Sequence, residues 1–192
     1  MQNILVAILS EMTTLSDQEM ADIETYFPIK TVAKETFLLK EGQIAKDAYF
    51  VIKGYIRKYE LIDGEEKTLD FFTENQSAAN FASLANNTPS TLFLVCGEET
   101  TIAILNSEKE EALYKKHPRF ESFCRTGMEQ MMGSKQEELS SFIVSSPKER
   151  YLKLLKNRPE LINRVPQYQL ASYLGISPES LSRIRKRISQ KE

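Results

Sequence analysis

Four polar side chains in the last quarter of the sequence have the types and the spacing to read the edges of base pairs. Glu179, Ser182, Arg183 and Lys186 follow one another at short intervals that place them on one face of a helix. An arginine can donate two hydrogen bonds to guanine, a glutamate can accept from the cytosine amino group, and a lysine can neutralise phosphate. The sequence therefore predicts base reading by Glu179, Ser182 and Arg183.

The neighbouring residues predict the structure that presents this set. Leu181, Ile184 and Ile188 form an apolar stripe on the opposite face of the helix, which suits packing on a core. Ahead of it, Gly175 can end a first helix in the left-handed conformation, and Ser177 can cap the second. A charged surface helix would explain the polar face but not this turn. We therefore predict a helix-turn-helix that docks in the major groove of DNA.

Further residues, at the helix starts and at the edge of the reading face, are predicted to contact the DNA backbone. Amide groups at an exposed helix start bind phosphate, and nearby cations neutralise it. These residues are Gln167, Ser177, Ser180, Lys186 and Arg187.

The distribution of charge agrees with a DNA-binding end. The chain has 192 residues and a formal net charge of −2. From Pro147 onward there are eleven Lys and Arg against four Glu, a net of +7, which leaves −9 for residues 1–146. A basic segment joined to an acidic one is typical of a nucleic-acid module attached to a domain that does not bind nucleic acid. Charge alone does not separate this from helices with ordinary charged surfaces.

Residues for other chemistry are scarce. Cys96 and Cys124 are the only cysteines, too few for a disulfide framework, and His117 is the single histidine. There is no glycine-rich phosphate loop, metal-ligand cluster or nucleophile beside a base, so we expect no catalytic residue, no metal and no enzyme. No apolar run long enough to span a membrane and no signal peptide is found, so we expect a cytoplasmic protein without a membrane partner.

The elements that must position the helix-turn-helix begin with strands. Short apolar runs separated by turn residues fill Ile29–Asn106, and Asp63-Gly64 between two of them is a strong hairpin signal. Many short strands at this spacing favour an all-β barrel or roll. Before this region, Ser16 and Glu19 predict the capping box of a helix.

A long helix is predicted from about His117 to Ile143. An apolar stripe on a helix of this length needs a partner, so we interpret it as a dimerisation helix, with packing on its own roll as the alternative. The stripe consists of Phe120, Cys124, Met128, Met131, Leu139 and Phe142.

Ser146, Pro147 and Glu149 mark the clearest boundary in the chain. Together they predict a capped helix start, preceded by a hinge. We therefore expect a sensor domain over 1–116, a dimerisation helix and hinge over 117–144, and a helix-turn-helix domain over 145–192. The predicted fold class is α+β, with an N-terminal antiparallel, jelly-roll-like β-roll, a long helix and an all-α C-terminal domain.

With these motifs in order, the whole chain resembles the Crp/Fnr family of bacterial regulators. Leu170–Arg187 looks like the DNA-binding end of that family. Gly42 followed by Tyr49–Arg57, with a second glycine at Gly54, resembles its cyclic-nucleotide-binding-like roll signature.

The resemblance implies a function and its partners. Glu179, Ser182 and Arg183 match the Glu-x-x-Ser-Arg set of the Fnr branch, which implies that Glu179 and Arg183 read a G·C pair of each half-site and Ser182 a neighbouring base. The implied protein is a homodimeric transcription regulator that binds a palindromic site on double-stranded DNA, with RNA polymerase as a further partner.

The sequence departs from the family where cyclic nucleotides bind. Family members hold the phosphate of the ligand with an arginine, yet no Arg or Lys lies between Lys67 and Lys109. A buried phosphate without a cation is poorly compensated, so we expect no tight cyclic AMP binding by this mode. Polar residues that could contact another effector are Asn80, Ser83, Ser90, Thr91 and Ser134. The effector is therefore unknown.

Other sensing devices of the family also lack their residues. An iron–sulfur cluster needs more cysteine ligands than the two present, and a haem would depend on His117, which precedes a proline at a helix start. No cofactor is therefore evident. The sequence ends soon after the recognition helix, so we expect a variant without the β-hairpin wing of many relatives.

One alternative to a DNA-binding regulator remains. An enzyme is not that alternative, because no set of residues in the sequence indicates catalysis. The same fold could be a ligand-binding regulatory module that acts through protein contacts rather than DNA. The basic C-terminal end and the missing arginine count against it. A fall of DNA affinity with rising salt would separate a DNA-binding regulator from this alternative.

Overall fold

The structure is a computed structural model that describes residues 3–190. Its architecture is α+β, as predicted. It begins with helices α1 (Ile4–Met12) and α2 (Asp17–Tyr26). The strands are β1 (Ile29–Val32), β2 (Phe37–Leu39), β3 (Asp47–Lys53), β4 (Ile56–Ile62), β5 (Glu65–Phe72), β6 (Ser77–Ala78), β7 (Phe93–Cys96) and β8 (Thr100–Asn106). Helix α3 (Phe81–Asn86) lies between β6 and β7.

A run of helices follows the last strand. They are α4 (Ser107–Lys116), α5 (Arg119–Val144), α6 (Pro147–Asn157), α7 (Pro159–Arg164), α8 (Gln167–Tyr173) and α9 (Pro178–Ser189). The long α5 agrees with the predicted long helix, and Ser146 forms the expected capping box at the start of α6. No helix within residues 3–190 has the length and apolar content needed to cross a bilayer.

The strands form two four-stranded antiparallel sheets with the orders β1-β8-β3-β6 and β2-β7-β4-β5. Alternate side chains of each sheet enter one core, in which Val51, Ile56, Leu94 and Ile102 are almost wholly buried. At the predicted hairpin, Asp63 and Gly64 both adopt positive φ angles, 53° and 79°. Such angles close a tight turn between twisted strands. The β-roll predicted from the sequence is therefore present.

A second core joins the N-terminal helices to the helices that follow the roll. It contains Val6, Ile23, Phe27, Leu113 and Phe120. The capping box of Ser16 and Glu19 begins α2, and the Ser16 amide donates to Glu19 Oε2 at 2.8 Å. Helices this short are only marginally stable in isolation. They are stabilised here by the burial of their apolar side chains.

The chain forms two compact units. The first contains the chain up to Glu60 together with Asp70–Arg125, and the second contains Leu61–Leu69 together with the chain from Thr126 onward. The tip of the β4–β5 hairpin thus belongs to the second unit, and the division passes through α5. The three segments expected from the sequence are bounded at the ends of predicted helices and do not coincide with these two units. Their boundaries stay a prediction.

Candidate nucleic-acid interface

The turn between α8 and α9 has the form that its residues predict. Gly175 has a φ of 70°, in the left-handed region that favours glycine. The amide of Ile176 then donates to the carbonyl oxygen of Ala171 at 3.0 Å. Ser177 caps α9 by accepting a hydrogen bond from the Ser180 amide at 3.3 Å. The two helices and this turn form a helix-turn-helix.

One face of α9 packs on the interior of the second unit. Leu181 is only 1% exposed, whereas Ile184 and Ile188 are half-buried. Opposite Leu181, α8 contributes Leu170 and Ala171, both buried. Because Ala171 is small, the backbones of the two helices can approach closely. This packing determines which side of α9 faces solvent.

The exposed side of α9 carries the three predicted reading residues together with Lys186, which is predicted to contact the DNA backbone. Glu179, Ser182, Arg183 and Lys186 are all exposed, on the face opposite Leu181. They belong to one rigid helix of twelve residues, so their mutual spacing is fixed by helix geometry. The structure therefore brings the whole predicted reading set together on one surface.

Local hydrogen bonds prepare two of these side chains. The Ser177 hydroxyl beside Glu179 lowers the pKa of that carboxyl, and the positive charge of Arg183 lowers it further. The glutamate is thus an acceptor at neutral pH. Arg183 Nη2 donates to the Ser180 hydroxyl at 3.2 Å, between exposed groups. The guanidinium stays at the surface with donors available to a base edge.

The residues predicted to contact the DNA backbone surround this face. Gln167 is exposed at the start of α8, and Ser177 and Ser180 lie in the first turn of α9. Lys186 and Arg187 are exposed further along α9. All five predicted residues thus lie in the helix-turn-helix, at or beside the reading face.

A surface cleft flanks the reading face, and sequence reasoning did not find it. It has a volume of about 390 Å³ and is lined by Lys148, Ile184, Arg187 and Gln190. Lys148 comes from the first turn of α6, so two helices supply the two cations. A cleft with cations on two walls suits a phosphate of the DNA backbone. Only Arg187 was expected here, because the α6–α9 contact cannot be read from local sequence.

The six residues of the predicted dimerisation stripe on α5 differ in their exposure. Phe120 is 1% exposed and belongs to the N-terminal core. Cys124 is partly buried, and burial raises the pKa of its thiol. Met131 and Phe142 are also partly buried, so of the six predicted residues only Met128 and Leu139 are exposed.

An apolar face does remain open on the second-unit part of α5. It consists of Met128, Met132, Leu139 and Ile143, which are 45%, 74%, 61% and 68% exposed. Met132 and Ile143 each follow another member of this face by four residues, which is the spacing of helical neighbours. We call these four residues the open α5 face. This face is rotated about the axis of α5 relative to the stripe that the sequence predicted.

Three of the five polar residues predicted for an effector pocket form hydrogen bonds within the first unit. Asn80 Nδ2 donates to the Ser90 hydroxyl at 2.9 Å, and both residues are buried. Ser83 accepts from the Ala45 amide at 2.9 Å and donates to the Thr88 carbonyl at 2.6 Å. These bonds tie α3 to its neighbouring loops. The effector pocket stays a prediction, and a ligand there would have to exchange these bonds for its own.

The other two predicted pocket residues lie on the surface. Thr91 is exposed in the loop before β7, and Ser134 is exposed on α5 in the second unit. Within residues 3–190, no group of three or more His, Cys, Asp and Glu side chains is placed to hold a metal ion.

The single histidine is held in a network of charged groups. His117 Nε2 lies 2.7 Å from Asp22 Oδ2, and Lys116 Nζ lies 2.8 Å from the same oxygen. Beside them, Arg119 donates to Glu19 at 2.7 Å. The hydrogen bonds from His117 and Lys116 lower the pKa of Asp22 to about 2. This network joins α2 to the end of α4 and the start of α5.

The hairpin tip contacts the helix-turn-helix inside the second unit. The amide of Thr68 donates to Ser172 Oγ at 2.9 Å, and Ser172 Oγ donates to the Glu66 carbonyl at 3.3 Å. Both backbone groups lie on β5, at the edge of its sheet. Edge strands carry backbone groups without a partner strand, and here one hydroxyl of α8 serves two of them.

Comparison with known proteins agrees with this architecture. Residues 29–117 match the profile of the family described as cyclic nucleotide-binding domain. This stretch runs from β1 to the end of α4 and contains the whole β-roll. The β-roll is therefore similar to cyclic nucleotide-binding domains. No curated protein matches the chain significantly.

Solved regulators share the fold over most of their length. The c-di-GMP-responsive global regulator CLP of Xanthomonas campestris is 17% identical, with a TM-score of 0.68 over 92% of this chain and 93% of that one. A mutant of CooA from Carboxydothermus hydrogenoformans is 14% identical, with a TM-score of 0.65 over 88% and 79%. The catabolite activator protein of Thermus thermophilus is 19% identical, with a TM-score of 0.50 over 94% and 86%. The fold expected from the Crp/Fnr resemblance is thereby confirmed.

Proposed function

We propose that the protein is a sequence-specific DNA-binding transcription regulator of the Crp/Fnr type. The observation that carries this proposal is the exposed face of α9, where Glu179, Ser182, Arg183 and Lys186 lie opposite the buried Leu181. An acceptor, a hydroxyl and two cations on a helix of this length suit the major groove. The basic charge of the chain from Pro147 onward supports the same conclusion.

The regulator acts as a homodimer on an inverted repeat. The open α5 face supplies the apolar surface for a second copy, since four large exposed side chains on one helix are costly in water. A twofold dimer presents two copies of α9, so its half-sites lie about 34 Å, or one helical turn, apart.

The sensor domain does not bind cyclic AMP in the mode that uses an arginine for the phosphate. It responds to a different effector. No Arg or Lys lies between Lys67 and Lys109, so that segment offers no cation to a phosphate. Asn80, Ser83 and Ser90, which lie in this segment, already use their polar atoms within the chain.

Selection of bound duplexes from a random DNA pool tests the function. The full-length protein should enrich an inverted repeat with a G·C pair in each half-site. Its affinity for the selected site should fall steeply with rising salt, with a slope in the log–log plot of about −0.9 for each phosphate neutralised.

Two results would contradict this function. Enrichment of no sequence would remove base reading by α9. Affinity for duplex DNA that does not depend on salt would exclude backbone neutralisation and favour a module that acts through protein contacts.

A further inference from the structure

The side chain of Arg150 joins three parts of the second unit. Arg150 lies in α6, and its Nε donates to the carbonyl oxygens of Phe142 and Ser145, both at 3.1 Å. Its Nη1 donates to the carbonyl oxygen of Leu174 at 3.0 Å. One planar guanidinium therefore connects the last turn of α5, the hinge before α6 and the C-cap of α8.

These acceptors are groups that arginine satisfies well. Carbonyl groups in the last turn of a helix have no partner within that helix, and together they form the negative end of its dipole. Phe142 lies in the last turn of α5, and Leu174 is the C-cap residue directly after α8. A cation that bonds to both ends offsets two partial charges at once.

Packing keeps the guanidinium in this position. It lies over the Phe142 ring, 4.0 Å from the ring centroid. A Cβ atom at Gly175 would lie 3.3 Å from Nη1, so the turn glycine leaves space for the bond to Leu174. Lys153, one helical turn further on, bonds to the hydroxyls of Ser141 and Ser145 at 2.6 and 2.7 Å.

We infer that Arg150 is a positioning residue for DNA recognition, because it fixes the direction in which the helix-turn-helix leaves the end of α5. This inference rests on the proposed function. Since α5 carries the open face of the proposed dimer, the same link sets the separation of the two recognition helices. Arg150 thereby determines which half-site spacing the dimer accepts.

The test compares Arg150→Met with Lys156→Met in the full-length protein. Both changes remove one positive charge from α6, and Lys156 is exposed near the far end of that helix. Binding is measured on the selected inverted repeat, on repeats with one base pair more or less between the half-sites, and on a single half-site.

The two variants should separate clearly. Arg150→Met should lower the preference for the selected spacing about tenfold, because three charge-assisted hydrogen bonds are lost. Its affinity for a single half-site should stay unchanged. Lys156→Met should keep the spacing preference of the original protein. Should Arg150→Met fail to fold, Arg150→Lys keeps the charge without the planar fork and should show a smaller loss in the same direction.

Two results overturn the inference. One is an unchanged spacing preference in a folded Arg150 variant. The other is an equal loss on the repeat, the single half-site and random duplex, which would make Arg150 a DNA contact rather than a positioning residue.

A measurement without DNA separates this inference from the proposed function. Amide hydrogen exchange over residues 142–146 and 172–177 should accelerate in the Arg150 variants but not in Lys156→Met. Unchanged exchange overturns the link itself. If the original protein selects no DNA while exchange responds as expected, the proposed function fails and the link stands.

Discussion

Arg183 lies near the centre of the exposed face of α9, and Glu179 lies one helical turn before it. The two side chains interact electrostatically, and the Ser177 hydroxyl adds a hydrogen bond that lowers the pKa of Glu179. A donor and an acceptor one turn apart match the complementary edges of a G·C pair. Arg187 lies at the border of this face and lines the flanking cleft instead. The two arginines should therefore make different contributions to binding.

Arg183→Ala should weaken binding to the selected site by about 1–3 kcal/mol, because one bidentate base contact is lost. Binding to a scrambled duplex should hardly change. Titration of both duplexes with the variant measures the two affinities.

Arg187→Ala is the matched comparison. It should weaken binding to both duplexes equally. The slope of log affinity against log salt concentration should fall in magnitude by about one. A uniform loss in Arg183→Ala would assign that arginine to phosphate and remove it from the reading set.

At the scale of the elements, the carboxylate of Asp22 joins α2 to Lys116 at the end of α4 and to His117 directly after it. His117 and Lys116 hold its pKa at about 2, below the usual value of about 3.9. A carboxyl group with a lowered folded-state pKa stabilises the fold fully above its unfolded pKa. That stabilisation is lost as the pH falls through the folded pKa.

Asp22→Asn should therefore flatten the loss of stability between about pH 4 and pH 2, since the amide does not titrate there. Urea unfolding across this range, followed by circular dichroism, measures the midpoint at each pH. Glu24→Gln, an exposed change on the same helix, should leave the acid dependence of the original protein. Equal acid dependence in Asp22→Asn and the original protein would contradict this role of Asp22.

At the scale of the whole molecule, the proposed dimer would be held together by the open α5 face. Met132→Glu or Leu139→Glu would place an unpaired carboxylate in the dimer interface, where its burial is unfavourable. Each should shift the protein to the monomer in sedimentation velocity and weaken binding to the inverted repeat more than to a single half-site.

Gln130→Glu introduces the same charge on the opposite side of α5, at an exposed position, and should leave the dimer intact. A stable dimer in Met132→Glu and Leu139→Glu would place the interface elsewhere on the molecule.

The features that the sequence predicts well are those determined by local backbone chemistry. Ser146 and Ser177 cap helices, and Gly175 takes a positive φ, each for reasons contained within a few residues. The strands of the roll follow from short apolar runs and turn residues in the same way. The fold and the composition of the reading face could therefore be predicted.

The features that escaped prediction depend on which parts of the chain cover one another. Phe120 was assigned to the dimer stripe, but α1, α2 and α4 bury it in the N-terminal core. Arg150 has no sequence signature, because its partners are backbone carbonyls of Phe142, Ser145 and Leu174. Asn80 and Ser90 form a hydrogen bond with each other across a loop. The sequence does not reveal this bond, so both residues were predicted as candidates for contact with an effector.

The hairpin bond to Ser172 bears on how this molecule can be cut and recombined. The chain passes between its two compact units after Glu60, after Leu69 and after Arg125. A C-terminal fragment made by cutting within or after α5 would lack Thr68 and Glu66, which Ser172 bonds. A chimaera that transplants the DNA-binding end onto another sensor should therefore carry Leu61–Leu69 with it, as a graft of two separate segments rather than one.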